Sequence, residues 1–132
     1  MRLSQDPADW IFASSLGSSN DYLMQGDFPQ GTIVLTEEQT AGKGSHGRSW
    51  KAEPGAFLFS GLLYQGDRPA SVQLLPLCMG IAAALALEEF AGAKLFLKWP
   101  NDLMVAHGDG FLKAGGVLVE SSNHPRFRIV AG

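Results

Sequence analysis

Residues 98–120 read Lys-Trp-Pro-Asn-Asp-Leu-Met-Val-Ala-His-Gly-Asp-Gly-Phe-Leu-Lys-Ala-Gly-Gly-Val-Leu-Val-Glu, and their punctuation decides the fold. Strand-like sequence from Lys94 to Trp99 runs into the polar turn Pro100-Asn101-Asp102. Leu103–Ala106 and Phe111–Val119 are the next candidate strands, joined by the hairpin signal His107-Gly108-Asp109-Gly110. Short strands joined by tight turns pair as antiparallel neighbours. Upstream, Trp10–Ser14, Thr32–Glu37 and Phe57–Tyr64 are also strand-like, with Gly61 marking a bulge or a close contact. A turn at Ser121–Pro125 precedes a last strand at Arg126–Ala131. A short helix is expected after the N-cap types in Gly17-Ser18-Ser19-Asn20-Asp21, through Tyr22-Leu23-Met24. A long helix is expected from about Ser71 to Phe90, with Pro76 confined to its first turn. Its apolar residues lie on nearly every face of those first turns, so it should pack against a sheet. The pattern predicts an α+β fold: a mixed or mostly antiparallel sheet of about seven strands flanked by helices.

The 132 residues suit one domain, 1–132, and 45% hydrophobic against 17% charged residues excludes a disordered chain. The longest apolar stretch, Leu74 to Leu87, falls short of the roughly 18 residues of a membrane span, so no membrane partner is expected. Ten Lys+Arg against thirteen Asp+Glu give a net charge of −3, which speaks against a generic DNA or RNA surface. The lone Cys78 has no internal disulfide partner, so a reducing, cytoplasmic setting is expected. Its place in the apolar helix run reads as a small buried hydrophobe. His46, His107 and His124 are dispersed, and no zinc site is expected. Arg126 and Arg128 alternate with Phe127 and Ile129, the pattern of a half-exposed strand.

Residues 38–50, Glu-Gln-Thr-Ala-Gly-Lys-Gly-Ser-His-Gly-Arg-Ser-Trp, carry the chemistry. Glycines alternating with cationic side chains expose successive backbone N–H groups beside positive charge, which makes a concavity for phosphate or carboxylate. A mobile surface loop with scattered charges is the plainer alternative. A P-loop is excluded, because that motif must open a helix and carry a lysine before its Ser or Thr. Here Arg48 precedes Ser49, and Pro54-Gly55 is a turn signal. Taken alone, Pro100-Asn101-Asp102 is an ordinary turn, Lys113 an edge-strand charge, and Trp99 a packing residue at a strand end.

Together and in this order, Ser18-Ser19-Asn20, the 38–50 loop, Lys98-Trp99-Pro100-Asn101-Asp102 and Lys113-Ala114-Gly115-Gly116-Val117-Leu118-Val119-Glu120 resemble the biotin protein ligases, from about Ser18 to the last residue. The resemblance implies a fold related to class II aminoacyl-tRNA synthetases. It implies formation of biotinyl-5′-adenylate from biotin and MgATP, then transfer of biotin to a lysine of a biotin carboxyl carrier protein. Two anions must meet in that reaction, so cations and N–H groups have to offset their repulsion. By resemblance, Ser18, Ser19, Asn20 and Gln39 line the biotin pocket, and Gly42, Lys43, Gly44 and Ser45 wrap the carboxylate and phosphate. Lys113 binds the biotin carboxylate and α-phosphate, while Asn101 and Asp102 lie near the nucleotide and its Mg2+. Asp102 is also the candidate general base for the acceptor lysine. Lys43, Asp102 and Lys113 are thus the catalytic candidates. Gly115 and Gly116 admit close backbone approach, and Arg48 and Trp50 belong to the ATP side, Trp50 packing on adenine or on the closed loop.

The sequence departs from that family in two respects. The loop usually carries arginine-like charge where this chain has Lys43 and Ser45, so looser retention of the adenylate is expected. The chain also ends after Arg128-Ile129-Val130-Ala131-Gly132, so the expected domain is truncated, without a C-terminal barrel or an N-terminal helix-turn-helix. No DNA-binding activity is expected. A strand ending at the terminus leaves hydrophobic surface, from which a homodimer is an expectation. Two other functions compete: a lipoate or octanoyl transferase of the same superfamily, against which the Gly-Lys-Gly loop argues, and a non-catalytic module that binds biotin or the adenylate.

Overall fold

The computed structural model describes residues 9–123 and 126–132, so His124 and the end of the expected Ser121–Pro125 turn lie outside the described residues. The chain falls into two compact units. One runs to Arg68 and resumes at Glu120–Gly132; the other is Pro69–Val119.

The first unit is built on a mixed five-stranded sheet. Strand β1 (Trp10–Ala13) pairs in parallel with β2 (Ile33–Thr36), and the return between them is made by α1 (Ser19–Gln25). A parallel pair needs such a crossover, whereas β2 and β3 (Leu58–Gly66) pair antiparallel. Antiparallel to β3 lies β8 (Phe127–Ala131), and β7 (Val119–Ser122) completes the order β1-β2-β3-β8-β7. Leu23 of α1 meets Val34, Leu62 and Val130 from three adjacent strands, and all four are fully buried. Burying each such side chain is worth about 1.5–3 kcal/mol.

Two expectations for this unit change. The bulge falls between Leu62 and Tyr64, while Gly61 stays in register with Ile33 and Ala131. All of β8 is buried, Arg128 included at 4% exposure. The alternation of arginines with apolar residues points to a half-wet strand, but β8 is flanked by β3 and β7 and its arginine finds another use. Nη1 of Arg128 donates to the carbonyls of Leu23, Met24 (3.1 Å) and Gly26, where α1 ends. A cation there satisfies carbonyls that the last helical turn leaves without partners. Burial of β8 also removes the exposed hydrophobic strand on which the homodimer expectation rested.

The second unit packs α2 (Leu75–Ala91) beside the antiparallel sheet β4 (Leu95–Lys98), β5 (Asp102–His107) and β6 (Gly110–Gly116). Pro76 sits in the first turn of α2, and Gly92 ends it in the left-handed region at φ 63°. Gly80 lets the helix approach β4, since a Cβ there would lie 2.8 Å from Cδ1 of Leu97. The run expected as one strand from Phe111 to Val119 divides: β6 ends at Gly116, and Val119 already belongs to the other sheet. Cys78 is exposed rather than buried. The sheet-facing stripe of α2 runs through Gly80 and Ala84, one turn apart, and a residue two positions before Gly80 points elsewhere. Trp99 is 75% exposed, so it is not the packing residue expected at that strand end. Among the described residues no helix is long and apolar enough to cross a membrane.

Candidate functional site

In the first unit the site begins with a backbone zipper. Leu16 and Gln39 form a parallel bridge: Leu16 N–H donates to the Glu38 carbonyl, Thr40 N–H to Leu16 and Ala41 N–H to Gly17. The segment entering α1 is thereby fixed beside the segment entering the glycine loop. Ser18 is the N-cap of α1, its Oγ accepting from Asp21 N–H at 3.4 Å. Gln39 then reaches the first helical residue: its Oε1 accepts from Ser19 N–H at 2.8 Å and lies 3.1 Å from Ser19 Oγ.

From Ser19 a polar row continues through the interior. Ser19 Oγ lies 2.7 Å from Ser60 Oγ, and Ser60 donates to Asn20 Oδ1 at 2.6 Å. Asn20 Nδ2 donates to Glu120 Oε2 at 2.9 Å. Ser18, Ser19, Asn20 and Ser60 are all at most 5% exposed. Buried polar groups at this depth are tolerated only when paired, and this row pairs them side chain to side chain. The row ends at a cation: Lys43 Nζ lies 4.0 Å from Glu120 Oε1 and donates to Asp21 Oδ1 at 2.5 Å. The hydrogen bond to Asp21 raises the Lys43 pKa above the ordinary 10.5; partial burial opposes this, and the charges of Glu120 and Asp21 add to it.

The glycine loop is ordered by its own backbone. Trp50 N–H donates to the Gly42 carbonyl and Gly44 N–H to the Arg48 carbonyl, each at 2.7 Å, around the bridge Lys43–Ser49. A Cβ on Gly42 would meet the Trp50 carbonyl oxygen at 2.7 Å. At the tip, Ser45–Gly47 make a 3₁₀ turn with His46 left-handed at φ 58°. Arg48 folds back, Nη2 donating to Ser45 Oγ at 2.7 Å and Nε to the Ser45 carbonyl at 3.1 Å. The loop is therefore a small antiparallel hairpin rather than an unstructured tether. A cavity of about 650 Å³ lined by Gln25, Asp27, Gln65, Arg126 and Arg128 opens at the opposite, C-terminal end of α1 and involves none of these groups.

In the second unit the Asn101, Asp102, Lys113 and Gly116 positions come together. Lys113 Nζ donates to Asp102 Oδ1 at 2.7 Å across β5 and β6. Asn101 is clamped to Val117, its carbonyl accepting from Val117 N–H at 2.9 Å and its Nδ2 donating to the Val117 carbonyl at 3.1 Å. Gly116 is needed by the protein itself: a Cβ would lie 3.2 Å from the Asn101 carbonyl oxygen, tighter than normal packing. Gly115 has only an ordinary contact, 3.9 Å to Leu103 Cδ1. Among the described residues no group of three or more His, Cys, Asp or Glu side chains gathers into a metal site.

Three participants are absent from the sequence reading: Asp21, Ser60 and Glu120. Ser60 carried a signal, a hydroxyl at an inward position of β3 (Leu58 and Leu62 on the same face), but nothing in one dimension says what it would bond. Asp21 and Glu120 sit inside quoted motifs and become visible only through Lys43 and Asn20.

The chain belongs to the biotin/lipoate A/B protein ligase family, whose sequence pattern matches residues 13–129. Among curated relatives, the bifunctional ligase/repressor BirA of Escherichia coli is 34% identical over 108 residues, 80% of this chain and 32% of that protein. A biotin–[acetyl-CoA-carboxylase] ligase of Paracoccus denitrificans is 40% identical over 96 residues, 67% of this chain and 36% of that protein. Among solved structures, the biotin protein ligase of Aquifex aeolicus in complex with biotin and ATP superposes with a TM-score of 0.76 at 31% identity, covering 93% of this chain and 50% of that one. The chain thus spans about a third of the length of the curated relatives it matches.

Proposed function

We propose that this chain carries the biotin- and nucleotide-handling part of a biotin protein ligase. In the proposed reaction a carboxylate oxygen of biotin attacks the α-phosphorus of ATP, the bond to pyrophosphate breaks, and biotinyl-5′-adenylate forms. A lysine amine of a biotin carboxyl carrier protein then attacks the acyl carbon, loses a proton and releases AMP. The observation that carries this reading is the buried row Gln39–Ser19–Ser60–Asn20 ending on a lysine. A cyclic urea offers N–H donors and a carbonyl acceptor, and needs a partner with both kinds of group held in place. The row supplies them, and Lys43 supplies countercharge for a carboxylate and a phosphate.

In the same proposal Lys113 acts on the carboxylate and α-phosphate and Asp102 on the nucleotide's magnesium. A single carboxylate fits a metal that arrives on phosphates, since Mg2+ usually keeps waters and takes only one or two protein carboxylates. The ion would neutralise phosphate charge. Asp102 as general base for the acceptor lysine belongs to this proposal too, as do Arg48 and Trp50 on the nucleotide side. Ser45 is engaged by Arg48, so the loop keeps its shape without the extra cation, and looser retention of the adenylate remains the expectation.

Pyrophosphate release measured with ATP and magnesium, with and without biotin, tests the reading. Release that requires both substrates, and falls about tenfold or more in Lys113→Ala through loss of a charge-assisted contact, is the expected result. Biotin affinity in calorimetry with no pyrophosphate release would instead identify a binding module, and absence of both would refute the assignment.

A further inference from the structure

We propose that Asp21 is a resident competitor for Lys43, a carboxylate that occupies the ammonium in the empty site and is exchanged for the anionic end of the substrate; the proposal rests on the biotin-site reading above. Lys43 Nζ donates to Asp21 Oδ1 at 2.5 Å, and Glu120 Oε1 lies 4.0 Å from the same nitrogen. One ammonium therefore faces two carboxylates. An ammonium has three donors, so another acceptor could find a hydrogen there. Its charge, however, is already spent. A carboxylate or phosphate arriving at Lys43 meets a surplus of negative charge until one of the two residents withdraws.

Asp21 is the one placed to withdraw. Glu120 is tied back by Asn20 Nδ2 at 2.9 Å, whereas the Asp21 side chain is 34% exposed and can turn into water. Nor does the exchange need the loop to move. Gly42 and Gly44, on either side of Lys43, are pinned across the hairpin to Trp50 and Arg48, so rotation of two side chains suffices. A pair this exposed is weak, as an exchangeable contact must be. The consequence is specific to charge: Asp21 lowers affinity for a ligand whose end is anionic and leaves affinity for a neutral end alone.

The test is calorimetric binding of biotin and of biotinamide, whose carboxylate is replaced by a neutral amide, to the full chain at neutral pH. Asp21→Asn keeps the shape of the side chain and removes its charge. It is expected to bind biotin about two- to fivefold more tightly than wild type, with biotinamide unchanged. A purely structural role for Asp21 would weaken both ligands together and leave their ratio as it was. The gain should be smaller when the same change is made in a Lys43→Met background, where no cation is set free. A gain as large or larger there means that Asp21 simply repels the carboxylate, and overturns the exchange. A biotin-to-biotinamide preference that stays level or falls in Asp21→Asn also overturns it, while leaving the biotin-site reading intact. Wild type that binds neither ligand overturns both. Should Asp21→Asn fail to fold, Asp21→Ser decides through the same ratio.

Discussion

Ser60 has no solvent exposure and makes two side-chain hydrogen bonds, to Ser19 at 2.7 Å and Asn20 at 2.6 Å. Ser60→Ala removes both, but the two partners are not stranded equally. Ser19 Oγ already lies 3.1 Å from Gln39 Oε1 and can turn its proton there. Asn20 is 4% exposed, and its Oδ1 loses the donor that β3 supplies. The expected cost is therefore that of one buried hydrogen bond lost, about 0.5–1.5 kcal/mol, rather than twice that amount. Urea unfolding at 25 °C, with equal slopes for both proteins, measures it. The double variant Ser60→Ala with Asn20→Ala should be less destabilised than the two single effects added, because both changes remove the same hydrogen bond. A Ser60→Ala loss below about 0.5 kcal/mol, or strict additivity, would refute the view that this row is held by its internal hydrogen bonds.

Other outcomes follow from the same geometry. Arg128→Met, which leaves the carbonyls at the end of α1 without this donor, should cost about 1–3 kcal/mol, read by the same urea assay, and Arg128→Lys should recover only part. Gly42→Ala, whose new Cβ would face the Trp50 carbonyl, should open the base of the loop hairpin and sharply increase protease cutting between 42 and 50, while the urea midpoint moves little. The Lys43–Asp21 pair gives a pH signature. Because the pairing raises the Lys43 pKa, its stabilisation is present below the unfolded lysine pKa near 10.5 and is lost as pH rises through the higher folded value. The stability gap between wild type and Asp21→Asn should therefore hold at neutral pH and close at strongly alkaline pH; a gap independent of pH would exclude the pair as its source.

Local signals were enough for much of the molecule. Ser18 as N-cap, Pro76 in a first turn, the two-residue reversal at Gly108-Asp109 and the alternation of strands follow from backbone preferences that each residue carries with it. The order of the chemical motifs likewise marked Ser19, Asn20, Gln39, Lys43, Asp102 and Lys113 as residues to watch. Arg128 and Cys78 show where such reading stops. An alternating strand and an apolar helix predict one arginine half-wet and one cysteine buried, and each came out the other way. What decided them was which neighbour covered which face: carbonyls at the end of α1 for Arg128, a helix stripe through Gly80 and Ala84 for Cys78. Glu120 and Ser60 belong with these. A hydrogen bond has direction and a range of about 3 Å, so partners a hundred residues apart, as Asn20 and Glu120 are, exist only once the sheet has brought them together. Residue types were written in the chain; which of them meet was settled by packing.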